Sequence, residues 1–176
     1  QALAHISGRK LILYIGSSIG NFEPQEAVAI LRRIRRSLRP GDALLLGTDL
    51  AKSPRILLPA YNDAQGTTAA FNKNILARLN READANFDLD SFSHVALWNR
   101  AHSRIEMHLE SLVKQSVYLG AADEMFSFAA GERIHTENSY KYTFEMVQSI
   151  LHGGGFTLER TWSDRQKWFG VHLARV

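Results

Sequence analysis

From Lys10 to Gly16 (KLILYIG) the chain is almost continuously apolar, a run too short for an ordinary helix, and it predicts a strand covered on both faces as in a parallel sheet. Ser17 to Asn21 is a polar turn. Pro24 follows where a first-turn proline is tolerated, and Ala27, Ile30, Leu31, Ile34 and Leu38 recur at helical spacing, with Arg32, Arg33, Arg35 and Arg36 mostly opposite. Pro40-Gly41 stops that helix, and Asp42 to Asp49 (DALLLGTD) predicts a second buried strand. Residues 10–49 therefore read as one right-handed βαβ unit.

Beyond Asp49 the pattern changes. Residues 54–84 are predicted mainly helical, with Phe71, Ile75, Leu76 and Leu79 on one stripe, and Ala83 to Asp90 is a polar link. Ser93 to Asn99 and Arg104 to Tyr118 alternate apolar and polar residues, which predicts an antiparallel hairpin turning at Asn99 to Ser103. A short strand at Met125 to Ala130 and a turn at Gly131 to Arg133 follow. A helix is predicted from about Asn138 to His152, with Phe144, Val147, Ile150 and Leu151 inward and the triple glycine 153–155 as a left-handed stop. Two alternating strands, Phe156 to Trp162 and Lys167 to Ala174, close the chain. The order is β-α-β, an α/β insertion of about ninety residues, then α-β-β. A parallel α/β sheet that finishes with a helix and an antiparallel edge hairpin resembles the end of a class I (Rossmann-like) methyltransferase fold. The expected domains are 1–50 (partial core), 51–141 (inserted α+β substrate-binding domain) and 142–176 (end of the core). Ligands of such sheets bind at the carboxyl ends of the parallel strands, which makes Gly16 to Asn21 and Gly47 to Leu50 the functional rim.

Composition narrows the chemistry. At 45% hydrophobic and 22% charged residues over 176 positions the chain is an ordinary globular one, and disorder, collagen and coiled coil are excluded. Zero cysteines leave no disulfide, no thiolate nucleophile and no Cys-ligated metal. The apolar runs fall far short of the ~20 residues that cross a bilayer, and no signal peptide is recognisable, so a cytoplasmic protein without a membrane partner is expected. The seven histidines are scattered, and His102 and His108 lack helical i, i+4 pairing, so no metal site is expected. The arginines between Arg32 and Arg36 lie on one helix without interleaved aromatics, a solvated face rather than a nucleic-acid surface. Trp98, Trp162 and Trp168 fall on alternating strands and are expected to pack in the core or at its rim. Residues 1–60 carry 9 Lys/Arg against 4 Asp/Glu while the rest carries 12 against 14. That asymmetry, a start at Gln1 and a strand within about ten residues predict a piece of something larger.

The segments IGSSIGNFEP (Ile15 to Pro24), LRPGDALLLGTDLAK (Leu38 to Lys52), AYNDAQGTTAAFNKNILARLN (Ala60 to Asn80), RIEMHL (Arg104 to Leu109) and FAAGERIHTENSYKY (Phe128 to Tyr142) resemble the histidine-specific, S-adenosylmethionine-dependent Nα-methyltransferases of ergothioneine biosynthesis. They stand in family order over most of the chain. The resemblance implies Nα-methylation of L-histidine to the trimethylated product hercynine, with S-adenosyl-L-methionine as cofactor. It also implies a missing upstream part: a capping segment and the first half of the nucleotide-binding sheet, with most of the cofactor site. Gln1 to Arg9 has no room for a glycine-rich loop and a ribose-binding acid. A fragment inactive alone, exposing an apolar strand edge and prone to self-association, is the expectation. The rival readings are a methyltransferase for another amino acid or small amine, and a non-catalytic binding module without a donor site.

By the same resemblance six residues would hold the substrate. Asn21 offers an amide that both donates and accepts, suited to the carboxylate and the amine; an asparagine bonding its own backbone ahead of the helix explains it equally. Gly16 would let the main chain approach the amine, or merely ends a strand. Tyr61 would direct its phenol at the carboxylate, although a tyrosine is more often core. Glu137 and Ser139, two apart in an extended segment, point the same way, so a carboxylate can accept one imidazole N–H while a hydroxyl meets the other nitrogen. The alternative is a helix start, with Thr136, Asn138 or Ser139 capping. Met107 would pack against the ring, or is plain core.

Overall fold

The computed structural model describes residues 8–176, so the expectation for Gln1 to Arg9 lies almost wholly outside the described residues. The chain divides into two compact units.

The first takes the described residues up to Lys52 with Ala101–Arg104 and Asn138–Val176. Its sheet has the order β1-β2-β9-β8, formed by β1 (Leu11–Tyr14), β2 (Ala43–Asp49), β8 (Thr157–Ser163) and β9 (Phe169–Arg175). β1 runs parallel to β2, from Leu11 opposite Ala43 to Tyr14 opposite Leu46. β9, last in sequence, slips between β2 and β8 and is antiparallel to both. Helices α1 (Pro24–Arg35) and α4 (Phe144–Gly153) bury Ala27, Leu31, Val147, Ile150 and Leu151 against Leu44, Leu46 and Ala174 of this sheet. Unit 1 is thus an α/β sheet closed by a helix and an antiparallel hairpin, the arrangement expected at the end of a class I methyltransferase fold.

Two expectations need correction here. β1 is not covered on both faces: Ile12 and Tyr14 pack on the core, whereas Leu11, Leu13 and Ile15 are 55, 57 and 58% exposed. Among the described residues β1 pairs only with β2. The last helix starts at Phe144 instead of Asn138, with Thr143 as N-cap accepting from Met146 N–H. The preceding residues stay extended because their amides are already committed: Lys141 N–H donates to Ser103 O at 2.7 Å and Tyr142 N–H to Asp49 O at 2.9 Å. The glycine stop is as predicted, with Gly155 at φ 83°.

The second unit, Ser53–Arg100 and Ile105–Glu137, holds α2 (Pro54–Tyr61), α3 (Thr67–Glu82) and strands β3 (Phe92–Asn99), β4 (Arg104–Ser111), β5 (Gln115–Leu119), β6 (Glu124–Phe128) and β7 (Arg133–Tyr140), the last running on into the first unit. β3, β4 and β7 form one sheet in that order; β5 and β6 pair separately as an antiparallel ribbon. The single strand predicted over Arg104 to Tyr118 is therefore broken. Buried Ser111 causes the break, its hydroxyl donating to Val113 O at 2.8 Å and accepting from Gln115 Nε2 at 2.6 Å, which turns the chain. Two clusters fill the unit, Leu57 with Ile105 and Met107, and Leu76 with Phe92 and Leu109. The stripe predicted for α3 is rotated: Phe71 and Ile75 are exposed, while Asn72 is buried. Asn72 Nδ2 donates to His94 Nδ1 at 2.9 Å and to His108 O at 3.0 Å, so the amide nitrogen is paired inside, while Oδ1 is buried without a partner among the described residues. Trp98 packs on the first cluster, whereas Trp162 and Trp168 are exposed. No helix among the described residues is long and apolar enough to cross a membrane.

Candidate functional site

In unit 1 the rim at the end of β1 is a turn, Gly16 to Asn21. Gly16 has φ 82° and a Cβ built there meets nothing within 4 Å, so the backbone conformation, not crowding by the protein, demands glycine. Asn21 ends a 3-10 turn and is exposed; the cap of α1 is Glu23, in a capping box with Glu26. Asn21 therefore lies two residues before the cap. Gly20 abuts β7, since a Cβ on it would lie 2.9 Å from Tyr140 O. The turn therefore sits directly against the strand that carries Ser139.

Two polar networks tie this rim together, and sequence reasoning missed both. In the first, Lys141 Nζ donates to Ser139 Oγ at 2.6 Å and pairs with Asp49 Oδ2 at 2.9 Å. Asp49 also pairs with Lys52, and its N–H donates to Ser17 Oγ at 2.8 Å. Ser139, the end of β2 and the turn after β1 are thus linked through one buried cation. In the second, the Glu23 carboxylate accepts from Tyr140 OH at 2.6 Å, Arg104 Nη1 at 2.7 Å and Asn138 Nδ2 at 3.3 Å. The Tyr140 hydroxyl, and then the Arg104 guanidinium, hold the Glu23 carboxyl below its ordinary range. Burial raises the Tyr140 phenol, and the bond to Glu23 adds to it. The sequence signal for Lys141 was the i, i+2 series Glu137, Ser139, Lys141, hidden by the helix predicted there.

In unit 2, Tyr61 ends α2 and packs with Trp98 against the cluster of Leu57, Ile105 and Met107. Its carbonyl accepts from His94 Nε2 at 2.7 Å. Met107 is buried in that cluster, and its carbonyl accepts from Thr136 Oγ1 at 2.9 Å, next to Glu137. Three of the six predicted residues therefore gather here, Tyr61 and Met107 through shared packing and Glu137 through the neighbouring strand. Glu137 and Ser139 both lie on β7, well before the helix, so the helix-start alternative fails for them.

Glu106, His108 and His135 bring one ligand atom each within 4.8 Å of one another, on adjacent strands where sequence spacing could not show it. The geometry does not make a metal centre. The two imidazoles stack with centroids 4.6 Å apart and planes 22° apart. Ring lone pairs lie in the ring planes, and nearly parallel planes do not meet at a point about 2 Å from both nitrogens. Burial, then the neighbouring His135, lower the His108 pKa. A hollow of about 420 Å³ between α4 and β8, lined by Gln148, His152 and Phe156 among others, contains none of the six residues.

The family model described as "Histidine-specific methyltransferase, SAM-dependent" matches residues 1–176. Histidine N-alpha-methyltransferases of Mycolicibacterium smegmatis and Mycobacterium tuberculosis are 47% and 46% identical over 167 residues, covering 95% of this chain and 52% of each relative. Ergothioneine biosynthesis protein 1 of Schizosaccharomyces pombe is 29% identical over 153 residues, covering 86% of this chain and 20% of that protein. The chain thus spans about half the length of the two bacterial relatives. A match through every residue, with the motif segments laid out on the rim, on β4 and on β7, is membership: the chain belongs to the family of SAM-dependent, histidine-specific methyltransferases.

Proposed function

We propose that the protein carrying this chain transfers methyl groups from S-adenosyl-L-methionine to the α-amine of L-histidine, up to the trimethylated product hercynine. The observation that carries the reading is the whole-length family match. The layout of Glu137 and Ser139 on one extended strand supports the residue roles. Asn21 and Tyr61 serve the carboxylate, Asn21 and the main chain at Gly16 the amine, and Glu137, Ser139 and Met107 the imidazole.

The donor's sulfonium supplies an already activated methyl group. What remains for the protein is alignment and an unprotonated amine. The amine lone pair forms the new N–C bond as the C–S bond breaks, and the sulfur leaves as a neutral thioether. The ammonium must lose a proton before each further transfer, so a site that repeats the step has to grip the imidazole and carboxylate instead of the changing head. An amino acid without a ring N–H forgoes the bond to Glu137 and is rejected. The donor's contacts are not assigned to residues of this chain.

Mass spectrometry of histidine incubated with the complete gene product and S-adenosylmethionine tests the activity, and absence of methylated histidine overturns it. Glu137→Ala should weaken histidine about a hundredfold; unchanged affinity would favour a different acceptor. The exposed face of β1 further leads us to propose that the isolated chain self-associates. We propose separately that the protein acts in the cytoplasm.

A further inference from the structure

The turn that carries Asn21 is held from both ends. On one side Ile19 is fully buried and its carbonyl accepts from Tyr142 OH at 3.3 Å. Gly20 lies against the main chain of Tyr140, where an added Cβ would sit 2.9 Å from Tyr140 O. On the other side, two residues past Asn21, the Glu23 carboxylate accepts from Tyr140 OH at 2.6 Å and from Arg104 Nη1 at 2.7 Å. Asn21 and Phe22, between these anchors, are exposed. Both ends of the turn therefore land on Tyr140, one on its main chain and the other on its phenol. Arg104 Nη1 donates to the same phenol oxygen at 2.7 Å, which closes a ring of three hydrogen bonds among Glu23, Arg104 and Tyr140.

Capping α1 does not call for this geometry. A short side-chain acceptor caps a helix best, and Ser, Thr, Asp and Asn supply it. The Glu23 N–H is already taken by Glu26 Oε2 at 2.9 Å. What the longer side chain adds is reach: its carboxylate arrives at Tyr140 and Arg104, where bonds to an ionised acceptor are short and strong. An amide that grips a ligand has to be held within about 0.5 Å of its productive place. We infer that Glu23, latched to Tyr140 and Arg104, is a positioning residue that sets the place of Asn21. The inference rests on the function proposed above, in which the Asn21 amide meets the carboxylate and the amine of the amino acid.

The test measures KM and kcat for L-histidine, with S-adenosylmethionine, in the complete gene product and in Glu23→Asp, Tyr140→Phe, Asn21→Ala and the two double variants that contain Asn21→Ala. Aspartate still caps α1 but falls one methylene short of Tyr140, so its effect reports the latch and not the cap. Asn21→Ala should raise KM about tenfold or more, and Glu23→Asp about threefold or more. Tyr140→Phe keeps the ring and the main chain beside Gly20 and should raise KM in the same direction. Because Glu23 acts through Asn21, neither double variant should be worse than Asn21→Ala alone, whereas a general weakening of the fold makes the losses multiply. Three results would each overturn the inference and leave histidine methylation standing: an unchanged KM in Glu23→Asp, an unchanged KM in Asn21→Ala, or losses that multiply. A wild type that yields no methylated histidine overturns the functional reading itself. Should Glu23→Asp fail to fold, Tyr140→Phe with and without Asn21→Ala decides by the same criterion.

Discussion

His172 makes unit 1 sensitive to mild acid. The ring is wholly buried in the middle of β9, with Nε2 2.9 Å from Thr48 Oγ1 on β2 and Nδ1 3.0 Å from Thr161 Oγ1 on β8. Burial without a carboxylate partner lowers its pKa from the ordinary 6.5 to about 4. As pH falls through 6.5 the unfolded chain takes up this proton while the folded chain does not. The stability contributed by neutral His172 is therefore complete above pH 6.5, declines by about 1.4 kcal/mol per pH unit below it, and is exhausted near pH 4. The whole window is worth about 3 kcal/mol, and the step from pH 7.5 to pH 5 about 2 kcal/mol. His172→Asn removes the titration while keeping polar atoms for a threonine. Urea denaturation of wild type and variant at pH 7.5, 6 and 5 should show a lower starting stability and a flatter pH dependence for the variant. His108, also lowered, remains in both proteins and cancels in the difference. Identical slopes for the two proteins would refute the assignment of the acid sensitivity to His172.

Two smaller perturbations probe the rim and the edge. Gly20→Ala puts a Cβ 2.9 Å from Tyr140 O, so the turn bearing Asn21 must lift; a stability loss of about 1–3 kcal/mol in thermal melts and a raised KM for histidine are expected. Leu13→Lys places a charge on the exposed face of β1 and should shift the isolated chain to monomer in light scattering, at conditions where the unaltered chain scatters as a larger species.

The βαβ unit was legible because each piece announces itself locally: apolar runs for the strands, a helical stripe between them, and Pro40-Gly41 as punctuation. What failed was set by distant partners. Ser111 and Gln115 fit the alternation of a continuous strand, and only their hydrogen bonds break it. Asn138 to Tyr142 have residues compatible with a helix start, but the amides of Lys141 and Tyr142 are captured by Ser103 and Asp49, far away in sequence. Asn72 reads as a surface position on α3 until His94 and the His108 carbonyl supply its partners. The two faces of β1 look alike in sequence, and only pairing and packing distinguish them. Six candidate positions could be named by resemblance, yet Lys141, Asp49, Glu23 and Arg104, which tie Ser139 and its neighbours on β7 to the turn after β1 and the end of β2, carry no motif of their own.

Glu23 shows why those supporting residues matter as much as the ligands. A serine or aspartate would cap α1 equally well. Glutamate has a longer reach, and its carboxylate gathers Arg104, Asn138 and Tyr140 in addition to closing the capping box. Asn138 stands between Glu137 and Ser139, and Asn21 lies two residues before Glu23. One carboxylate thus fixes the turn that carries the amide to the strand segment that carries the hydroxyl. The Lys141 and Asp49 pair fixes the same strand segment to the end of β2. With two independent ionic ties converging on three consecutive residues of β7 and the lysine that follows them, Ser139 has little freedom to follow a badly fitting ligand. If Ser139 bonds an imidazole as proposed above, rigidity in this unit contributes to the choice of ring as much as the hydroxyl's own chemistry does.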